Sequence, residues 1–223
     1  MRKTFHREVF LQGPAGRLEA SLWVSEADET GGSVRLAGLV CHPHPLYGGT
    51  MHNKVVFQVA RTLHALGLPV LRFNFRGVGL SQGKHDGGRG EQDDVRAALR
   101  YLSKQFPQSR LVLAGFSFGA WVGLRVGCEE LPVVDLIGVG LPVDNSDLSY
   151  LKHCTKPKLI VQGTADPYGA RASVEALYAQ MPEPRALVFV EGADHFFTGR
   201  LDAVDAAIRQ WLPQQHPELR APA

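Results

Sequence analysis

Nothing in this chain reads as a membrane span, a nucleic-acid arm or a disulfide framework. No stretch approaches the ~18 consecutive apolar residues that a membrane-crossing helix needs. The basic start Met1-Arg2-Lys3 is not followed by an apolar run of signal-peptide length. Lysine and arginine are scattered rather than clustered, and a net charge of +2 supplies no basic field for a nucleic acid. Cysteine is scarce: Cys41, Cys128 and Cys154 are widely spaced and odd in number. That argues against disulfides and for a reducing, cytoplasmic setting. Internal repeats, low-complexity segments and linkers are also missing, so residues 1–223 read as a single domain with one sizeable core. The 44% apolar and 21% charged fractions are those of a water-soluble globular protein.

What is present alternates between strand-like and helix-like segments. Residues 5–11 and 18–25 alternate in polarity and predict a hairpin turning at Gly13-Pro14-Ala15-Gly16. A polar loop follows from Asp28 to Gly32. Short apolar runs at 36–41, 70–75, 111–114, 133–141, 158–162 and 186–190 predict strands buried on both faces. Between them, helical spacing predicts helices over 51–66, 91–106, 118–128, 170–181 and 200–212, with Pro213 onwards as a frayed tail. Strands alternating with helices of this length mean right-handed crossovers: an α/β fold with a mostly parallel twisted sheet of about eight strands and helices on both faces.

One stretch organises the rest. Leu111 to Ala114 is a β-leaning run that ends in Gly115-Phe116-Ser117-Phe118-Gly119 and passes at once into a helical segment. Strand, serine and helix with almost no loop between them force a sharp turn. A serine at its apex is strained and exposed, and glycines flank it where side chains would collide. This pattern resembles the nucleophile elbow of the α/β-hydrolase superfamily.

A serine hydroxyl needs a general base, and the base needs an orienting acid. The resemblance implies that both follow the serine, acid first. His195, in Glu191-Gly192-Ala193-Asp194-His195, follows the last strand directly. His153 and His216 lie in worse places. Asp166, in Gly163-Thr164-Ala165-Asp166-Pro167, follows the strand at 158–162 and is the preferred acid. Asp144 is the second choice, and Asp194 adjoins the histidine too closely to orient it. The expected catalytic set is Ser117, Asp166 and His195.

An oxyanion needs two donors. The superfamily pattern gives one to the N–H of Phe118 and the other to the loop after the third strand, here His42-Pro43-His44-Pro45-Leu46-Tyr47. Proline has no N–H, so His44, Leu46 or Tyr47 must supply it, with Leu46 and His44 preferred. His42, His44, His52 and His85 raise the question of a metal. No Cys or acidic partner stands at ligand spacing, so loop shaping is the better reading and neither metal nor cofactor is expected.

Further segments resemble a bacterial subgroup of small, lidless serine hydrolases close to the dienelactone-hydrolase-like esterases. They are His42-Pro-His-Pro-Leu-Tyr-Gly-Gly-Thr, Arg72-Phe-Asn-Phe-Arg-Gly-Val-Gly-Leu-Ser and Gly90-Glu-x-Asp-Asp. This chain has serine rather than cysteine at the elbow, and the interval 142–156 leaves no room for a lid. Arg76 is expected to brace loops. Tyr47, Phe116, Phe118, Phe196 and Phe197 are expected to form an apolar rim, although core burial is an equally good reading of Phe116. The implied activity is hydrolysis of small or short-acyl carboxylic esters or thioesters through an acyl-enzyme. The alternatives are a peptidase or lactonase on the same triad, or a non-catalytic interaction module. The expected partner is a small-molecule ester, with neither nucleic acid nor membrane, and oligomeric state is left open.

Overall fold

The alternation of side chains along each strand decides which layer a helix joins. In a computed structural model that describes residues 4–29 and 34–220, the strand Arg110–Phe116 (β5) sends Leu111 and Leu113 to one face. Val112, Ala114 and Phe116 go to the other. Each set meets its own helical layer.

The hairpin forms as expected from Thr4–Gly13 (β1) and Gly16–Ser25 (β2). A single helical turn, Glu26–Glu29 (α1), replaces the first part of the expected polar loop. It is held by Asp28, whose carboxylate accepts from the N–H of Ser25 at 2.6 Å. The remainder of that loop, 30–33, lies outside the described residues. Then come Leu36–Cys41 (β3), Lys54–Ala65 (α2), Val70–Phe73 (β4), Arg89–Gln105 (α3), β5, and Phe118–Glu129 (α4). Val133–Val139 (β6), Lys158–Gly163 (β7), Arg171–Ala179 (α5), Arg185–Val190 (β8) and Leu201–Gln215 (α6) complete the chain order. The eight strands form one sheet in the order β1-β2-β4-β3-β5-β6-β7-β8. Both pairings of β2 are antiparallel and the rest are parallel.

Helices α2 and α6 cover one face; α3, α4 and α5 cover the other. The start of α2 is set by Asn53, whose side chain accepts from the N–H of Val55, so the helix begins three residues later than the apolar spacing suggests. The β6–β7 connection contains only a 3-10 turn, Ser149–His153, and therefore no lid. No helix among the described residues is long and apolar enough to cross a membrane.

Two expectations are corrected. Cys128, near the end of α4, and Cys154, after the 3-10 turn, form a disulfide with Cα atoms 5.4 Å apart. Their approach is created by the tertiary fold and leaves no mark in the spacing. The inference of a reducing compartment therefore loses its support from cysteine usage, and only buried Cys41 is a free thiol. The tail is also ordered further than expected. Helix α6 runs through Pro213 to Gln215, and His216 is buried, its Nε2 2.5 Å from the carboxylate of Asp135 in β6. Burial raises the pKa of Asp135, opposed by its bond to His216. This contact, at the sheet edge opposite Ser117, pins the C-terminal segment to the core.

Removing one partner of a buried pair leaves the other stranded. His216→Ala is therefore expected to lower the unfolding free energy by about 3 kcal/mol. Urea denaturation of both proteins at neutral pH checks this; a midpoint equal to that of the parent would show that the pin carries no stability.

Candidate active site

Six parallel strands, β3 to β8, end on one edge of the sheet, and the candidate residues follow the ends of several of them. In the register, Gly115 of β5 pairs with Cys41 of β3 and Gly138 of β6, and Gly163 of β7 pairs with Val190 of β8. Such an edge is where open α/β sheets carry their sites.

Ser117 stands between β5 and α4 with φ 55° and ψ −121°, a left-handed conformation that strains a residue with a side chain. Its N–H donates to the carbonyl of Val139 at 2.9 Å, and its own carbonyl accepts from the N–H groups of Ala120 and Trp121. A Cβ at Gly115 would fall 2.4 Å from the carbonyl oxygen of Gly119. One at Gly119 would fall 2.4 Å from the carbonyl oxygens of both Cys41 and His42. The two glycines are thus required by backbone contact on both sides of the serine. At the head of α4, no acceptor takes the N–H of Phe118 among the described residues.

The structure brings the three widely separated side chains together. His195 Nε2 lies 2.9 Å from Ser117 Oγ, and His195 Nδ1 lies 2.8 Å from Asp166 Oδ2. The Asp166 side chain is fully buried. Its Oδ2 also accepts from Gln162 Nε2 at 2.9 Å, and its Oδ1 accepts from the N–H of Tyr168 at 2.9 Å. Donors on both oxygens fix the orientation of the carboxylate. The carboxylate oxygen beside Nδ1 is an acceptor, so in the neutral imidazole tautomer that it favours the proton lies on Nδ1 and the Nε2 lone pair faces the serine. The loops that carry acid and base are bonded to each other: the N–H of Ala165 donates to Ala193 and that of Thr164 to Val190.

The rival residues are engaged elsewhere. Asp144 accepts from the N–H of Ala170 at 2.7 Å and holds the start of α5. Asp194 accepts from the N–H of Thr198 at 2.8 Å, closing the turn after the histidine. His216 is the pin described above, and His153 is exposed on the far connection.

In the loop after β3, the preferred donors separate. The N–H of Leu46 is taken by His44 Nδ1 at 3.2 Å, and that of Tyr47 by the carbonyl of His44 at 3.1 Å. The N–H of His44 has no acceptor among the described residues. Of the two preferred donors, the N–H of Leu46 is thus engaged within a one-turn 3-10 helix, Pro45–Tyr47, while that of His44 is not. His42 is fully buried and wired into the backbone: Nδ1 faces the carbonyl of Pro43 at 2.6 Å, and Nε2 accepts from the N–H of Phe75 at 2.9 Å. It ties the β3 loop to the β4 loop, and complete burial pushes its pKa down to about 3. His52 is exposed, and His85 lies against Glu91, with Nδ1 2.8 Å from Oε1. Arg76 braces its loop on Asp94 through two bonds of 2.9 and 2.8 Å.

A cavity of about 680 Å³ opens over Ser117. Of the expected rim, Tyr47 and Phe196 are exposed and Phe118 reaches the cavity wall. Phe197 is instead fully buried in the core, and so is Phe116, whose ring supports His195 at 4.9 Å. Sequence reasoning missed Gln162, Tyr168 and Trp121. Tyr168 packs 4.6 Å from the His195 ring, and Trp121 lines the cavity. Gln162 sits fully buried in β7, donating to Asp166 and accepting from the N–H of Leu141 at 2.7 Å. Its one visible signal was an amide inside an otherwise apolar strand.

Comparison with known proteins agrees with this picture. A family model described as an alpha/beta hydrolase domain matches residues 39–211. An uncharacterized protein of Rickettsia prowazekii is 37% identical over 215 residues, spanning 92% of this chain and 88% of the relative. Among solved structures, XC6422 of Xanthomonas campestris, described as an a/b serine hydrolase without lid, is 37% identical with a TM-score of 0.83. That match covers 93% of this chain and 95% of the other. An alpha-beta serine hydrolase homologue of Coxiella burnetii is 40% identical with a TM-score of 0.84, covering 92% and 97%.

The buried neutral state of His42 gives a pH prediction. The folded protein resists a proton that the unfolded chain accepts near pH 6.5, so stability falls as pH drops below that value toward 3. This single residue is expected to contribute about 1.4 kcal/mol per pH unit in that window. Urea unfolding from pH 7 to 4 is expected to show a slope smaller by that amount in His42→Gln; identical slopes would mean that His42 is not held neutral.

Proposed function

Since the chain belongs to the alpha/beta hydrolase family, we propose that it is a serine hydrolase that cleaves small or short-acyl carboxylic esters or thioesters through an acyl-enzyme. The observation that carries this reading is the unbroken chain Ser117 Oγ to His195 Nε2 at 2.9 Å and His195 Nδ1 to Asp166 Oδ2 at 2.8 Å. The descriptions of two relatives as serine hydrolases support it.

The reaction runs in two halves. His195 Nε2 takes the hydroxyl proton as Ser117 Oγ bonds to the substrate carbonyl carbon. The carbonyl electrons move onto oxygen, where the N–H groups of Phe118 and His44 receive the charge. The protonated imidazole, balanced by Asp166, then gives its proton to the departing alcohol or thiol as the bond to carbon breaks. Water repeats the sequence on the acyl-enzyme, releasing the acid and regenerating Ser117. Gln162 and Tyr168 act through Asp166, keeping its carboxylate oriented. With no lid above it, the cavity favours small substrates over long-chain lipids.

Labelling with a fluorophosphonate probe is the direct test. Native protein is expected to take one label, at Ser117; no label under conditions that modify a control hydrolase would favour a non-catalytic protein. Ser117→Ala and His195→Ala are each expected to lower kcat by about four to six orders of magnitude, with the double variant little worse than either. Asp166→Asn should lose about 10⁴-fold. Across acyl esters of one chromogenic alcohol, acetyl and butyryl are expected to outrun dodecanoyl; the reverse order would remove the small-substrate reading.

A further inference from the structure

Two groups of rings flank Ser117, and they do different work. On one side Phe116, Tyr168 and Phe196 pack around His195, with ring centres 4.9, 4.6 and 5.3 Å from the imidazole. On the other side the ring of Phe118 lies 4.9 Å from His44, 5.6 Å from His85 and 5.6 Å from Trp121, and His44 and His85 are 4.9 Å apart. No ring pair bridges the two groups among the described residues.

The proposed chemistry assigns an occupant to each side. His195 must hand its proton to the leaving oxygen, so the alcohol portion lies against the rings around His195. The acyl portion is then directed to the wall of His44, His85, Phe118 and Trp121, all of which line the cavity. That wall is aromatic and rigidly held, its neighbouring rings tilted by 49–67° so that it offers both ring edges and ring faces. Trp121 is fixed at both ends: its Nε1 donates to the carbonyl of Asp147 at 2.9 Å, and its carbonyl accepts from the hydroxyl of Tyr150 at 2.7 Å. Its ring lies over Gly88, where a Cβ would fall 2.6 Å from the indole, so the sequence leaves room for the indole at that position. His85 is backed by Glu91, which is fully buried and accepts from the N–H groups of Asp86 and Gly88 at 2.9 and 2.8 Å. His44 Nδ1 accepts from the N–H of Leu46, which puts the proton of the neutral ring on Nε2.

Resting on the serine hydrolase reading, we infer that the acyl side of this cavity selects a planar aromatic ring, and that the substrates are small esters or thioesters of arylalkanoic or aryl carboxylic acids. Ring edges and faces interact favourably beyond the area they bury, and an alkyl chain of equal size gains only the area. The cavity volume of about 680 Å³ accommodates such a ring together with a small alcohol portion.

The test compares methyl 3-phenylpropanoate with methyl hexanoate, and both with 2-phenylethyl acetate, by continuous titration of the released acid. Methyl 3-phenylpropanoate is expected to exceed methyl hexanoate in kcat/KM by about tenfold or more. Trp121→Leu should collapse that ratio toward one, and Trp121→Phe should retain most of it, with circular dichroism confirming that both variants fold. A wild-type ratio near one, a ratio unmoved by Trp121→Leu, or faster turnover of 2-phenylethyl acetate would each overturn the inference. If no ester is turned over, the hydrolase reading fails first and binding decides the wall separately. Ser117→Ala protein should then bind 3-phenylpropanoate about tenfold more tightly than hexanoate by calorimetry, and equal affinities would overturn the assignment.

Discussion

The close approach of three backbone segments at Ser117 is the constraint from which the rest of the site follows. The carbonyl of Gly119 faces the Cα of Gly115, and the carbonyls of Cys41 and His42 face the Cα of Gly119, at distances that leave no space for a methyl group on either glycine. That approach holds Ser117 at positive φ, presses the end of β3 against the start of α4, and brings the His44 N–H and the Phe118 N–H to the same edge. Strain of this kind costs on the order of 1–3 kcal/mol and persists only where the surroundings over-determine it. Here β5 is buried between two helical layers and hydrogen-bonded to strands on both sides, which supplies the over-determination.

From that fixed point the other two side chains are reached through parallel register. Because β7 and β8 are bonded to each other along their length, residues just past their ends emerge side by side, and the bond from Ala165 to Ala193 prolongs the pairing into the loops. Gln162 then does for Asp166 what Asp166 does for His195. A buried amide with both ends engaged, to Leu141 on one side and Asp166 on the other, links the β6 exit to the acid. The site is therefore positioned from the strands outward, and the loops carry side chains whose orientation is set one layer deeper.

This depth explains what could be seen in the sequence. The elbow is legible because its chemistry is local: an apolar strand, two glycines and a serine within five residues. Asp166 and His195 were legible as positions past strand ends, since the order serine, acid, histidine is a property of chain topology. The choice between His44 and Leu46 was not legible, because it turns on a side chain bonding back onto its own loop, and proline spacing says only which residues lack a donor. Phe197 was misread as rim because an aromatic next to a catalytic candidate carries no sign of which way it points; at φ 51° its ring turns into the core. Cys128 with Cys154, and His216 with Asp135, are contacts between distant segments of the sequence and leave no periodicity to read. Strand and helix identities were recovered because burial on two faces writes itself into continuous apolar runs, whereas helix starts depended on caps such as Asn53.

A site without a lid must keep its shape through contacts of its own connections. The β6–β7 connection, which contributes Pro142, Asn145, Ser146 and Asp147 to the cavity wall, has no second domain to hold it. It is instead fastened to α4, the helix that begins at Ser117. Trp121 donates to Asp147, Tyr150 donates to Trp121, Arg125 lies 4.7 Å over the Tyr150 ring, and Cys154 is joined to Cys128. Every one of these attachments falls on a single helix, so the wall and Ser117 share one rigid frame. A cavity wall fixed in this way loses little conformational entropy when a substrate settles against it, and its selectivity rests on shape already present rather than on closure. In place of a lid, this chain has a short connection clamped to the helix that begins at Ser117.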